Sequence, residues 1–226
     1  MEKKATKKEW LGLIIGFIGI MLGCLLVRLL NRYLLMAIPL IPRMITMVVS
    51  YWLCALAPIV LLFLHKDRLS DYGFTKDGLL LQIVIGLGIG LLMSVFFTLV
   101  PHLFGFGGFV DNGYRYVYVW QFIFEFIYCT AGVAAAEEFG FRGFIYKRIK
   151  KISGDKDIFA ILGSSVLFGL FHIFGGNIFQ VFITMLIGLF FCFLRWKIKK
   201  CSTLSLIICH GVYDAMITVW ASEILG

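Results

Sequence analysis

Charged residues are scarce in this chain. Asp, Glu, Lys and Arg make up 15% of its 226 residues, against about 25% in an ordinary soluble domain. So few charges cannot solvate the surface of a water-soluble fold that is 61% hydrophobic with a mean hydropathy of +0.94. Other absences narrow the field further. None of the six cysteines forms a CxxC pair, and most lie in apolar runs. They read as small membrane-compatible side chains, not as a disulfide framework or a zinc knuckle. Gly105, Gly107 and Gly108 have no strand before them and no Lys-Ser/Thr after them, so they are not a phosphate loop. No internal repeat or low-complexity tract is present. No basic, aromatic-interleaved face accompanies the net charge of +8, and no nucleic-acid partner is expected.

What the chain has in abundance is apolar runs of about 20 residues, the length that crosses a bilayer as a helix. Seven spans are expected, at about 10–35, 43–64, 79–101, 119–146, 157–174, 178–196 and 203–222. The fold class is therefore an all-α polytopic transmembrane helix bundle, with the lipid bilayer as its surroundings. Pro39 and Pro42 separate the first two spans. Gly12 and Gly16, Gly19 and Gly23, and Gly86 and Gly90 are small-xxx-small pairs that let helix backbones approach closely. The lysine-rich start before Trp10 resembles a signal peptide. The apolar run after it is too long, and no small-residue cleavage site follows, so an uncleaved first helix is expected.

Lys and Arg fall mainly in alternate loops. Four lie within 1–8, three within 66–76, five within 147–156 and four within 195–200; the other side has Arg28, Arg32, Arg43 and Arg115. This asymmetry puts the N-terminus in the cytoplasm and the C-terminus outside. The segment from Pro101 to Trp120, rich in Gly, Phe and Tyr, reads as an outer interfacial loop or short re-entrant piece.

Three clusters violate the apolar pattern. The fourth span holds Glu137, Glu138 and Arg142; the fifth ends with Phe168-Gly-Leu-Phe-His172, followed by Asn177; the seventh holds His210 and Asp214. A charge at mid-bilayer costs about 2.5–3.5 kcal/mol on insertion scales, so such groups face a bundle interior and pair with one another. Glu138 and Arg142 are spaced i, i+4 with the acid first, the favourable order; His210 and Asp214 share that spacing. Glu137 points about 100° away from Glu138, leaving one carboxylate for Arg142 and one for a cavity. At about 1.5 Å rise per residue, Glu137, His172, His210 and Asp214 lie roughly 12–22 Å from their span ends, within one slab of the membrane. Phe168 and Phe171 read as packing, Asn177 as a helix cap, and His65 and His102 as loop-edge residues.

The order Glu-Glu-x-x-x-Arg at 137–142, Phe-x-x-x-His at 168–172 and His-x-x-x-Asp at 210–214 resembles the CPBP family. That family comprises type II CAAX prenyl endopeptidases and bacterial Abi, or bacteriocin-processing, proteins. The likeness covers about 119–216, which divides the chain into three N-terminal spans with their outer loop (1–118) and a four-span catalytic core (119–226). It implies an intramembrane endopeptidase acting on membrane-associated peptides or proteins. Glu137 would activate water, His172 would share it, and His210 with Asp214 would stabilise the oxyanion. Arg142 would hold Glu138 in support. Two mechanisms stay open: a metal-free glutamate base, or zinc held by Glu137, His172 and His210. They exclude each other at Glu137. The family pattern often has Asn where Asp214 stands, and an ionised Asp cannot donate to an oxyanion; its alternative task is to orient His210. Two other functions compete: a catalytically idle scaffold or bacteriocin self-immunity protein of the same fold, and a proton-relay transporter, for which no inverted repeat is found. The compact length and the lack of a targeting extension point to a bacterial cell membrane.

Overall fold

The structure is a computed structural model that describes residues 2–106, 113, 115–174 and 178–224. Asn177 and most of the expected outer loop lie outside the described residues. Its helices are α1 (Glu2–Tyr33), α2 (Leu40–Tyr51), α3 (Leu53–His65), α4 (Leu79–Leu103), α5 (Val119–Ile152), α6 (Asp157–Phe171), α7 (Ile178–Lys197) and α8 (Thr203–Ile224). Six of them are long and apolar enough to cross a membrane. The bent pair α2–α3 supplies a seventh span where the sequence places its second. Large apolar side chains such as Leu80, Leu92 and Leu103 stay more than two-thirds exposed, which suits a surface solvated by lipid.

Helix α5 runs through the bundle and is contacted by α1, α2, α3, α6 and α8. Around it, α4 packs along α8, α6 along α7 and α1 along α3. Glycines set these close approaches. A Cβ on Gly23 would sit 2.2 Å from the Leu53 carbonyl oxygen; on Gly86 and Gly90 it would sit 2.6 Å from the carbonyl oxygens of Ser205 and Cys209. Backbone cannot yield as a side-chain tip can. Gly90→Ala is therefore expected to cost about 1–3 kcal/mol by overpacking. Gly88→Ala, whose Cβ meets nothing within 4 Å, should be neutral or slightly stabilising. Thermal unfolding of the two variants in one detergent decides this, and equal midpoints would refute the close-approach argument.

Three features depart from the sequence reading. First, α2 and α3 bend by 45° at Trp52, where i→i+3 bonds replace the α-helical ladder: Trp52 N–H donates to Val49 O at 3.2 Å and Ala55 N–H to Trp52 O at 3.0 Å. Second, α5 continues to Ile152 instead of ending near 146. It is wound as a π-helix over Tyr128–Ala134 and again over Phe139–Ile145. Third, Lys147 and Arg148 are not solvated loop charges.

Arg148 is fully buried. It donates to Glu9 Oε2 and Asp67 Oδ2, each at 2.5 Å, while Lys147 reaches Asp67 Oδ1 at 2.6 Å and Asp71 Oδ2 at 3.3 Å. The network ties α1, the α3–α4 connection and the end of α5 together. Burial opposes ionisation of Asp67, but the hydrogen bond from Lys147 and the charge of Arg148 outweigh it and hold the carboxyl below its ordinary value. A lowered folded-state value means that the contribution to stability is complete above the unfolded value, about 3.9, and is lost as pH falls through the folded one. The unfolding midpoint is thus expected to drop in acid below about pH 4. Asp67→Asn should lower it at neutral pH and flatten that acid drop. An acid profile unchanged in the variant would contradict the assignment.

Candidate active site

Between the two π segments of α5 lies one short α-helical stretch, Ala135–Glu138. π-Turns inside α-helices shift the facing of the residues around them and cluster at functional sites. Here both adjacent carboxylates turn inward: Glu137 is 2% exposed and Glu138 not at all. Gly211 on α8 packs against the first π segment, where a Cβ would meet Thr130 Oγ1 at 2.4 Å. That contact brings the neighbouring His210 up to α5.

Glu138 Oε1 accepts from Arg142 Nη1 at 3.0 Å and faces His210 Nδ1 at 2.8 Å. The expected i, i+4 ion pair is present, and it continues into the histidine. On its other side, His210 Nε2 stands 3.3 Å from Asp214 Oδ2 and 3.9 Å from Glu137 Oε2. With the carboxylates ionised, both ring nitrogens must carry hydrogens to satisfy these partners. The Arg142 guanidinium lies 3.9 Å over the Phe168 ring and 5.1 Å from that of Phe191, cation–π contacts that compensate a buried charge. Ring contacts link His210 to Phe191 at 5.5 Å and to Phe168 at 6.2 Å. Five residues that the sequence marks as misplaced in lipid, Glu137, Glu138, Arg142, His210 and Asp214, therefore lie together.

His172 joins this cluster less directly. It begins a 3-10 turn at the end of α6, half-buried. Its Nδ1 lies 2.9 Å from Phe168 O. A carbonyl only accepts, so Nδ1 donates, and in the neutral ring Nε2 keeps its lone pair. Among the described residues it has no hydrogen bond or ion pair to the carboxylates. Its ring reaches the cluster through Phe168, at 4.8 Å between centroids.

Zinc can be tested on this geometry. Two histidines and a glutamate are a recognised ligand set. Among the described residues, however, no three His, Cys, Asp or Glu side chains are grouped so as to hold a metal ion. Both ring nitrogens of His210 are turned to carboxylates, and His172 Nδ1 to a carbonyl. Glu137, His172 and His210 as placed do not fit the ion, and no step below passes through one.

The sequence misses a partner contributed by a distant helix. Tyr51, the last residue of α2, donates its hydroxyl to Glu137 Oε1 at 2.6 Å. Next to it, Trp52 Nε1 donates to Ala131 O at 2.9 Å, a carbonyl of the π-wound segment. Phe168 and Phe191 are also more than packing, since they cover Arg142. Nothing in hydropathy separates these aromatics from the other aromatic residues of the chain.

Comparison with known proteins supplies one finding. No curated protein and no solved structure matches the chain. A family model does match, over the four spans that carry every polar group of the cluster except Tyr51: residues 118–216 are similar to the type II CAAX prenyl endopeptidase Rce1-like family.

Proposed function

We propose that the chain is an intramembrane endopeptidase that hydrolyses membrane-associated peptides or proteins with water activated by Glu137. The observation that carries this reading is the unequal state of the two Glu137 oxygens. Oε1 is held by Tyr51, whereas Oε2 is buried and has no hydrogen-bond partner among the described residues. The gap of 3.9 Å between Oε2 and His210 Nε2 is too long for a direct hydrogen bond, yet a water about 2.8 Å from each can contact both.

Glu137 Oε2 takes a proton from that water while the water oxygen bonds to the scissile carbonyl carbon. His210 donates Nε2–H to the resulting oxyanion, exchanging its 3.3 Å contact with Asp214 for the new charge. Glu138 on Nδ1 sets the ring, and Asp214 orients its other edge. His172 Nε2 is the second acceptor for the water. Collapse breaks the C–N bond, and the proton on Glu137 passes to the leaving amine, giving a carboxylic acid and an amine; the acid then loses its proton to solvent. The asymmetry of Lys and Arg between alternate loops supports an N-terminus in the cytoplasm and a C-terminus outside, and the substrates in this reading are peptide leaders, pheromones or membrane proteins.

The test uses quenched fluorescent peptides with the protein in proteoliposomes: a hydrophobic membrane-spanning sequence, a leader-type peptide, and a C-terminal CAAX peptide with and without an isoprenoid on its cysteine. The last pair follows from the family's name. Comparison of membrane-fraction peptides from cells carrying wild type or Glu137→Ala reads native substrates. Cleavage that disappears with Glu137→Ala supports the proposal; cleavage or a peptide profile unchanged in that variant overturns it.

A further inference from the structure

Tyr51 lies outside the matched segment, on a helix without a carboxylate or histidine, yet it touches the group proposed as the base. We propose that Tyr51 is a positioning residue for hydrolysis, fixing the Glu137 carboxylate through Oε1 so that Oε2 is the proton-accepting oxygen. This inference rests on Glu137 being the base.

Three observations support the role. The hydrogen bond is 2.6 Å long and spans 86 residues of sequence, so its geometry is set by the fold rather than by a local turn. The Tyr51 ring is itself held edge-on against Tyr128 of α5, with centroids 6.2 Å apart at 86°. The bend at Trp52 supplies the third. At the 45° break, Tyr51 Oη lies on Glu137 and Trp52 Nε1 on Ala131 O. Two consecutive donors thus dock the break onto the helix that bears the base. A carboxylate free to rotate would offer either oxygen to the water; one pinned at Oε1 offers one, in one direction.

Other groups that face Glu137 could mask this effect and have to be counted. His210 approaches from α8, Cys54 from α3 and Cys24 from α1 lie near enough to feel its charge, and Tyr128 and Glu138 share its helix. Among the described residues, Tyr51 is the group that hydrogen-bonds it.

The experiment combines kinetics with a substrate-independent signal. In proteoliposomes, the infrared carboxylate stretch that vanishes in Glu137→Gln identifies Glu137, and its position is then followed in Tyr51→Phe. That variant keeps the ring and removes the donor. Loss of a donor to one carboxylate oxygen is expected to shift the band. On the best-cleaved peptide of the panel, kcat should fall about 10- to 100-fold with KM changed less than about twofold. If Tyr51→Phe unfolds, 2,3-difluorotyrosine at the same position keeps ring and hydroxyl, strengthens the donor and should shift the band in the opposite direction. A band position and kcat identical to wild type overturn the positioning role while leaving Glu137 as base. Full activity in Glu137→Gln removes the base itself, and the proposal with it.

Discussion

Glu137→Gln is expected to lower peptide hydrolysis by at least about 10³-fold while leaving the fold intact. The amide matches the carboxylate in size, and its carbonyl oxygen can still accept from Tyr51. Packing at this 2%-exposed position is therefore preserved. What is lost is the capacity to hold a proton taken from water, which contributes about 10²–10⁴ in rate where a side chain acts as general base, and the proton it then returns to the amine. Glu137→Asp keeps the charge but withdraws the carboxylate by roughly one methylene from Tyr51 and from the water. It should fall between wild type and Gln, since a displacement of about 1 Å can cost 10²-fold. Steady-state cleavage by protein with matched unfolding midpoints measures this. Activity in Glu137→Gln within about tenfold of wild type, a margin far smaller than a general base supplies, would show that the base is elsewhere. The adjacent Glu138 is the internal control. Its Oε1 is already committed to Arg142 and His210, so its loss should act through stability and through the His210 ring.

The inequality of these two neighbouring glutamates marks how far the sequence could be read. That both are costly in lipid follows from their charge, and that one pairs with Arg142 follows from a spacing of four. Which face each finds does not follow from a regular helix. Two π segments bracket them, and hydropathy carries no sign of π winding. The spans were legible because a bilayer demands about 20 apolar residues whatever the fold. Their bends and close contacts were not: the break at Trp52 lies inside a run, 44–64, without a charged residue. Lys147 and Arg148 were misplaced for a different reason. A charge just past an apolar run looks solvated, and its partners, Glu9, Asp67 and Asp71, lie more than 70 residues away. Depth along its helix groups His172 with Glu137. The structure instead joins His172 to Arg142 and His210 through the Phe168 ring, a contact for which sequence has no notation. Tyr51 is the extreme case, since its whole signal is one hydroxyl.

Arg142→Ala is expected to lower stability by about 3–5 kcal/mol, the usual result of stripping one partner from a buried ion pair. Arg142 and Glu138 are both fully buried, so removing the guanidinium leaves a carboxylate whose one remaining partner is His210 Nδ1 and opens a cavity beneath Phe168 and Phe191. Arg142 Nε and Nη2 and Glu138 Oε2 have no hydrogen-bond partner among the described residues, so the pair is incompletely satisfied even in the native protein. A buried pair of that kind can be exchanged for apolar groups of similar volume at little cost. The double variant Glu138→Leu/Arg142→Met should therefore recover most of the stability that Arg142→Ala loses. It should not recover hydrolysis, because Glu138 is also what fixes Nδ1 of His210, and a ring free to turn no longer presents Nε2 to the oxyanion; one lost oxyanion donor is worth about 10²–10³ in kcat. Unfolding in detergent and cleavage in proteoliposomes separate the two effects. A double variant as unstable as Arg142→Ala would mean that the ion pair is integral to the fold. One that is both stable and active would remove Glu138 from the site. Stability regained with activity lost places the second glutamate where its geometry does, between the charge that holds α5 and the histidine that serves the reaction.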